Sequence, residues 1–143
     1  LRISDILSLR LSDIVRDGDR YRLEITEQKT KKKRVFTVPL VIQQYIENYC
    51  LRNGLEKTER IFDLTERTIN KQLALVCDYL GFEGIGTHSF RKWYATEIYK
   101  KNGYDITLVQ RLLQHSSAAI TQRYIGIEPQ QIEEAIEGHT QLL

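Results

Sequence analysis

Methionine is absent from the 143 residues, and tryptophan, proline and cysteine are nearly so, at one, two and two. Two cysteines, Cys50 and Cys77, are too few for a zinc set or a disulfide framework. Both sit in apolar stretches of helical pattern and read as buried free thiols, which fits a reducing compartment. No apolar run approaches the roughly 20 residues that a membrane-spanning helix needs. The start shows no basic segment followed by an apolar one, so it does not read as a signal peptide. With no methionine and a first residue, Leu1, that falls in mid-pattern, the chain reads as an excised domain. No glycine-rich loop is present to cradle a nucleotide phosphate, and no acidic or His/Cys cluster suggests a metal. A large charge of one sign is also missing, since 21 Lys and Arg face 19 Asp and Glu for a net +2. Composition alone therefore gives no reason to expect a nucleic-acid binder.

What is there is charge placed unevenly. Lys29, Lys31, Lys32, Lys33 and Arg34 form a dense basic cluster, while Glu128, Glu133, Glu134 and Glu137 make the tail acidic. A local positive patch can hold DNA by counterion release even on a nearly neutral molecule. The length suits one domain with a real core. Apolar spacing predicts a helix over 3–10 and a short strand from Leu11 to Val15, closed by the turn signal Asp17-Gly18-Asp19. Alternation predicts strands at 21–25 and 35–38, the second ending at Pro39, which puts the basic cluster at the tip of a hairpin. Helices follow at about 40–52, stopped by Asn53-Gly54, and at 66–80, stopped by Gly81, with Leu73, Leu75, Val76 and Leu80 expected to face inward. Further helices are expected over 88–101, from an Asp105 cap to Leu113, from a Ser116 or Ser117 cap to Arg123, and from Pro129 onward. The fold class is α+β: a mostly helical single domain with a small antiparallel three-stranded sheet.

Three separated fragments carry groups suited to phosphodiester chemistry. They are Leu1-Arg2-Ile3-Ser4-Asp5, then His88-Ser89-Phe90-Arg91, then Leu112-Leu113-Gln114-His115 with Arg123-Tyr124 beyond it. An arginine fork grips non-bridging phosphate oxygens, a tyrosine hydroxyl can attack phosphorus, and a lysine or histidine can handle the protons. At helical spacing His88 and Arg91 share a face.

Taken together, these fragments resemble the tyrosine recombinases, the phage-integrase family, over nearly the whole chain from Leu1 to about Ile127. Leu1 to Asp5 matches the family's Gly-Leu-Arg segment from its second position. The resemblance makes Arg2 the first phosphate-clamping arginine and Asp5 its supporting acid. The family's hairpin lysine, which protonates the departing 5′ oxygen, often stands in a Lys-Thr-Gly-like stretch. Lys29-Thr30 is the best match and Lys31, in place of the common glycine, is its rival. His88-x-x-Arg91 followed by Ala95-Thr96 matches the family's His-x-x-Arg pattern. That makes Arg91 the second clamp and His88 a proton acceptor or phosphate ligand. Leu112 to Ser117 resembles Leu-Leu-Gly-His-Ser with Gln114 for glycine, so His115 would bond the scissile phosphate. Tyr124, nine positions on, would be the nucleophile, leaving a 3′-phosphotyrosine and a free 5′-hydroxyl.

The resemblance implies no cofactor and no metal. It implies double-stranded DNA with a specific recombination site as partner, and a cytoplasmic, nucleoid-associated location. Lys31 and Lys32 are candidate DNA contacts, as are Arg67, Asn70 and Lys71 on a segment resembling the family's groove-facing helix. Trp93 and Tyr94 read as core or DNA-backbone contacts. The apolar tail residues Ile132, Ala135, Ile136, Leu142 and Leu143 suggest self-association on DNA or packing on the chain's own domain. The amino-terminal helical domain that clamps DNA in the family is not in this chain. Alternatives are a type IB topoisomerase, disfavoured by the Leu-Leu-Gln-His-Ser segment, and an inactive DNA-binding domain, which would lack a member of the set. A general nuclease would show carboxylates poised for metal.

Overall fold

A computed structural model describes residues 1–115 and 117–126. The expected helix from Pro129 and the apolar tail lie outside the described residues. The chain forms two compact units, Leu1–Thr87 and the part from His88 onward.

In the first unit, helix α1 (Ile3–Leu7) is shorter than the 3–10 helix that apolar spacing suggests. The Ser8 hydroxyl donates to the Asp5 carbonyl at 2.8 Å and so turns the chain. Leu9 is released into the core, and its carbonyl accepts from Ile61 N–H at 2.8 Å. Leu11–Asp13 is a single 3-10 turn rather than the start of a strand. Strand β1 (Ile14–Asp17) then turns at Gly18, whose φ of +65° is open to glycine at no steric cost. Strands β2 (Arg20–Thr26) and β3 (Lys33–Val38) complete an antiparallel meander in the order β1-β2-β3. The period of two puts Tyr21, Leu23 and Ile25 opposite Val38, Phe36 and Arg34, all on the inner face.

Pro39 leads into helix α2 (Leu40–Arg52), which ends at Asn53-Gly54 as its stop signal suggests. Cys50 is buried in the core with Leu9, Leu23, Val38 and Ile61, with Ile46, Tyr49 and Phe36 packed around them. Helix α3 (Glu66–Leu80) is capped by the Thr65 hydroxyl and closed by Gly81 at φ +73°. Its covered stripe is Ile69, Leu73 and Cys77, at four-residue spacing. Leu75, Val76 and Leu80, expected inside, are instead 64%, 54% and 55% exposed. That single stripe is what the first unit covers, and apolar character alone does not show which side of a helix meets a neighbour. Cys50 and Cys77 are buried free thiols.

The second unit contains α4 (Thr87–Lys101), α5 (Ile106–Leu113) and α6 (Ala118–Ile125). Asp105 caps α5 by accepting from Thr107 and Leu108 N–H, and Ser117 caps α6 by accepting from Ile120 N–H. Ala95 and Val109 are fully buried and Leu113 and Ile125 nearly so, forming this unit's core. Trp93 and Tyr94, on α4, are exposed and take no part in it. Among the described residues no helix is long and apolar enough to cross a membrane.

Gln114 ends α5 in the left-handed region, φ 54° and ψ 41°, so that its N–H reaches the Arg111 carbonyl and that of His115 reaches Gln110. A side chain at such a position costs about 1 kcal/mol or more. Gln114→Gly is therefore expected to leave the unfolding free energy measured in urea unchanged or raise it, by up to about 1 kcal/mol. A clear fall would show that the Gln114 side chain makes a compensating contact.

Candidate active site

Two groups of expected site residues take shape, one in each unit. In the first, Asp5 is 1% exposed and holds two backbone N–H groups. One carboxylate oxygen accepts from Arg2 N–H at 2.9 Å and the other from Gln28 N–H at 2.8 Å. Asp5 thus fastens the start of α1 to the turn between β2 and β3. It supports Arg2 through the main chain rather than through the guanidinium.

The turn itself is closed by Glu27 N–H to the Lys32 carbonyl at 2.9 Å and Lys31 N–H to the Glu27 carbonyl at 3.0 Å. That closure needs Lys31 at φ +56°, the reason a glycine suits this place. Lys29, Lys31 and Lys32 are exposed around it.

Glu27 is the residue that sequence patterning misses. It is 3% exposed and accepts from Arg34 at 2.6 Å, from the Thr30 hydroxyl at 2.5 Å and from Arg2 Nη1 at 3.4 Å. Burial alone would push this carboxyl up. The hydrogen bonds from Arg34 and Thr30 and the charges of Arg34 and Arg2 outweigh burial and bring the pKa down from 4.5 to about 2. Arg34 corrects the charge map drawn from composition. It is not part of the exposed basic cluster but 4% exposed, on the inner face of β3, with its guanidinium 4.4 Å from the Phe36 ring centroid.

In the second unit, α4 presents exposed His88 one turn before half-buried Arg91. The Arg91 guanidinium carbon lies 5.8 Å from the centroid of the Tyr124 ring. The His115 ring meets the same tyrosine edge-on, with centroids 5.3 Å apart at 76°. Three of the expected residues, on α4, at the end of α5 and on α6, thus come together, with Arg91 and His115 flanking the phenol of Tyr124. The Tyr124 hydroxyl is buried and makes no hydrogen bond among the described residues, an arrangement that costs about 1–3 kcal/mol. His115 Nδ1 lies 3.0 Å from the hydroxyl of fully buried Thr121, which also donates to the Ser117 carbonyl at 3.4 Å. Thr121 fixes the ring of His115, a role that its place one turn before Tyr124 could have suggested.

Arg67, Asn70 and Lys71 are exposed at i, i+3 and i+4 on α3, so the three share one helix face. Among the described residues no group of three His, Cys, Asp or Glu side chains is placed to hold a metal ion.

The depressed pKa of Glu27 carries a sign for stability. Above pH 4.5 the carboxyl is ionised in folded and unfolded chains alike, and its network contributes fully. Between 4.5 and about 2 the unfolded chain takes up the proton first, so stability is lost as pH falls through this window. The loss is on the order of 3 kcal/mol at most. Urea unfolding between pH 5 and 2.5 is expected to show that slope, and Glu27→Gln is expected to flatten it. Equal slopes in both proteins would remove Glu27 from the acid dependence.

Residues 1–131 match the model of the phage integrase family. The probable integrase/recombinase YoeC of Bacillus subtilis is 38% identical over 136 residues, spanning 90% of this chain and 71% of that protein. The tyrosine recombinase XerA of Pyrococcus furiosus is 28% identical over 145 residues, covering 96% of this chain but 49% of the relative. The chain thus spans about half the length of that archaeal relative. Among solved structures, the XerH site-specific recombinase in a pre-cleavage complex with its difH substrate superposes with a TM-score of 0.68. The identity is 24%, with 94% of this chain and 42% of that one covered. The XerA recombinase gives 0.64 at 22% identity, covering 96% and 53%. These likenesses establish the fold, and the family match over residues 1–131 establishes descent: the chain belongs to the phage integrase family, the tyrosine recombinases.

Proposed function

We propose that this chain is the catalytic domain of a site-specific recombinase that cuts and rejoins DNA strands through a 3′-phosphotyrosine. The observation that carries the reading is Tyr124, whose buried, unbonded hydroxyl sits in a ring environment made by Arg91 and His115. A buried hydroxyl on a ring flanked by a guanidinium and an imidazole suits attack on a phosphate that those two groups bind.

In this reading the Tyr124 oxygen forms a bond to phosphorus and the bond from phosphorus to the 5′ oxygen breaks. Lys29 gives its proton to that leaving oxygen, a contribution of about 10²–10⁴ in rate. Arg2 and Arg91 hold the non-bridging oxygens as their charge grows. His88 and His115 ligate the phosphate or take the tyrosine proton. Because the bond energy stays in the phosphotyrosine, rejoining to a second strand needs no nucleotide. Double-stranded DNA with a recombination site is the proposed partner, with Lys31, Lys32, Arg67, Asn70 and Lys71 as candidate contacts. The two XerH structures, solved with difH DNA before and after cleavage, support that choice. Self-association on DNA through the segment from Pro129 is proposed on its apolar residues, which lie outside the described structure. Integration or excision of a mobile element is the proposed use, in keeping with the likeness to YoeC.

The test is covalent capture on a nicked suicide duplex built from the junctions that flank the native gene, read on a denaturing gel. The expected result is a protein–DNA band that Tyr124→Phe abolishes. The same substitution is expected to leave thermal stability unchanged or raise it, because it removes an unbonded buried hydroxyl. A band that persists in Tyr124→Phe would overturn the assignment. Arg91→Lys is expected to lose most cleavage, about 100-fold or more, since an ammonium cannot reproduce the planar fork. Near-normal cleavage in that variant would remove Arg91 from the clamp.

A further inference from the structure

We propose that Glu27 is the positioning residue that holds the Lys29 turn and the Arg2 guanidinium at a fixed separation, an inference that rests on the recombinase reading of this site. One carboxylate oxygen makes both links. Glu27 Oε2 accepts from the hydroxyl of Thr30, the residue next to Lys29, at 2.5 Å and from Arg2 Nη1 at 3.4 Å. The other oxygen, Oε1, is anchored by Arg34 at 2.6 Å, a pair in which both side chains are 3% exposed. Behind Arg34 stands the Phe36 ring. The main chain of Glu27 also closes the turn that contains Lys29, through Lys31 and Lys32.

The geometry suits positioning better than bulk stabilisation. Arg34 alone would satisfy a buried charge, yet Oε2 is directed to two groups at the protein's edge, exposed Thr30 and an Arg2 side chain that is 21% exposed. At 3.4 Å the Arg2 contact is long, and it involves Nη1 of a group with five N–H donors. Arg2 is thereby aimed without its fork being consumed, and the same carboxylate fixes where the Lys29 turn begins. Asp5 secures the main chains of Arg2 and Gln28 in parallel. Clamping and leaving-group protonation need these two cations at one phosphate, where a misplacement of about 1 Å costs on the order of 100-fold.

A sulfur-substituted substrate separates this role from a structural one. In the intact recombinase, cleavage is measured on the suicide duplex of the preceding section and on the same duplex with its bridging 5′ oxygen replaced by sulfur. A thiol has a pKa of about 8.5, so a thiolate leaves without the proton that an alkoxide requires. Thr30→Val, an isosteric change at an exposed position, removes the link to the turn and leaves the buried charges in place. It is expected to slow oxygen-duplex cleavage about 10–100-fold and to recover most of that loss on sulfur, as Lys29→Ala should. Glu27→Gln should recover only in part, because Arg2 is loosened too, and Arg2→Ala should stay slow on both duplexes. Thermal unfolding and non-covalent duplex binding accompany each variant, and Thr30→Val decides alone if Glu27→Gln fails to unfold cooperatively. Unchanged rates in Thr30→Val and Glu27→Gln, or an equal loss on both duplexes, would overturn the role of Glu27 alone. An unsubstituted protein that forms no covalent adduct would overturn the recombinase reading, and this inference with it.

Discussion

The buried pair of Glu27 and Arg34 is the interaction on which the first unit's working parts depend. Two opposite charges taken out of water hold together only if their remaining donors and acceptors are also met. The carboxylate also accepts from Thr30 and Arg2, and the Arg34 guanidinium lies over the Phe36 ring. Removing one member of such a pair would strand the other. The arrangement therefore tolerates few geometries, and that intolerance keeps the lysine turn and the start of α1 in register. Asp5 repeats the device with backbone groups, tying Arg2 and Gln28 to one carboxylate. A turn bearing Lys29, Lys31 and Lys32, which by charge alone would splay into solvent, is thereby given a fixed root.

The second unit meets a different constraint, which is to pack around one phenol while leaving its hydroxyl unbonded. Core residues Ala95, Val109, Leu113 and Ile125 bring α4, α5 and α6 close enough for Arg91 and His115 to reach the Tyr124 ring. Ala95 is fully buried at the centre of that core. The threonine that orients His115 and the tyrosine it faces lie one turn apart on α6, so a rigid eight-residue helix sets their spacing. The unbonded hydroxyl of Tyr124 is the local cost of that packing.

Much of this was legible in the sequence because it is written locally. Asn53-Gly54 and Gly81 stop helices where main-chain geometry demands it, and Asp105 and Ser117 cap them. Alternation found β2 and β3. The site fragments were legible through family resemblance, and even the departures carried meaning. Lys31 and Gln114, which stand where the family has glycine, both adopt positive φ. What escaped depends on partners distant in sequence. Alternation with Phe36 and Val38 puts Arg34 on the inner face, but its charge argues for an outward one, and the pairing with Glu27 that decides it is not written locally. The helix drawn over 3–10 failed because Ser8 and Ile61 redirect Leu9. Leu75, Val76 and Leu80 are as apolar as Leu73, and only the tertiary fold tells them apart.

The two units divide the chemistry in a consistent way. In the proposed reaction Arg2 and Lys29 come from the first unit, on a frame with buried carboxylates, and Tyr124, Arg91 and the histidines come from the second. Which tyrosine becomes joined to DNA is the point on which this division stands, since the chain has eight of them. The most direct measurement is to digest the trapped protein–DNA adduct and identify by mass spectrometry the peptide that carries the nucleotide. The expected result is a single modified peptide with the phosphodiester on Tyr124. A nucleotide on any other tyrosine, or on a serine, would contradict the assignment of the site.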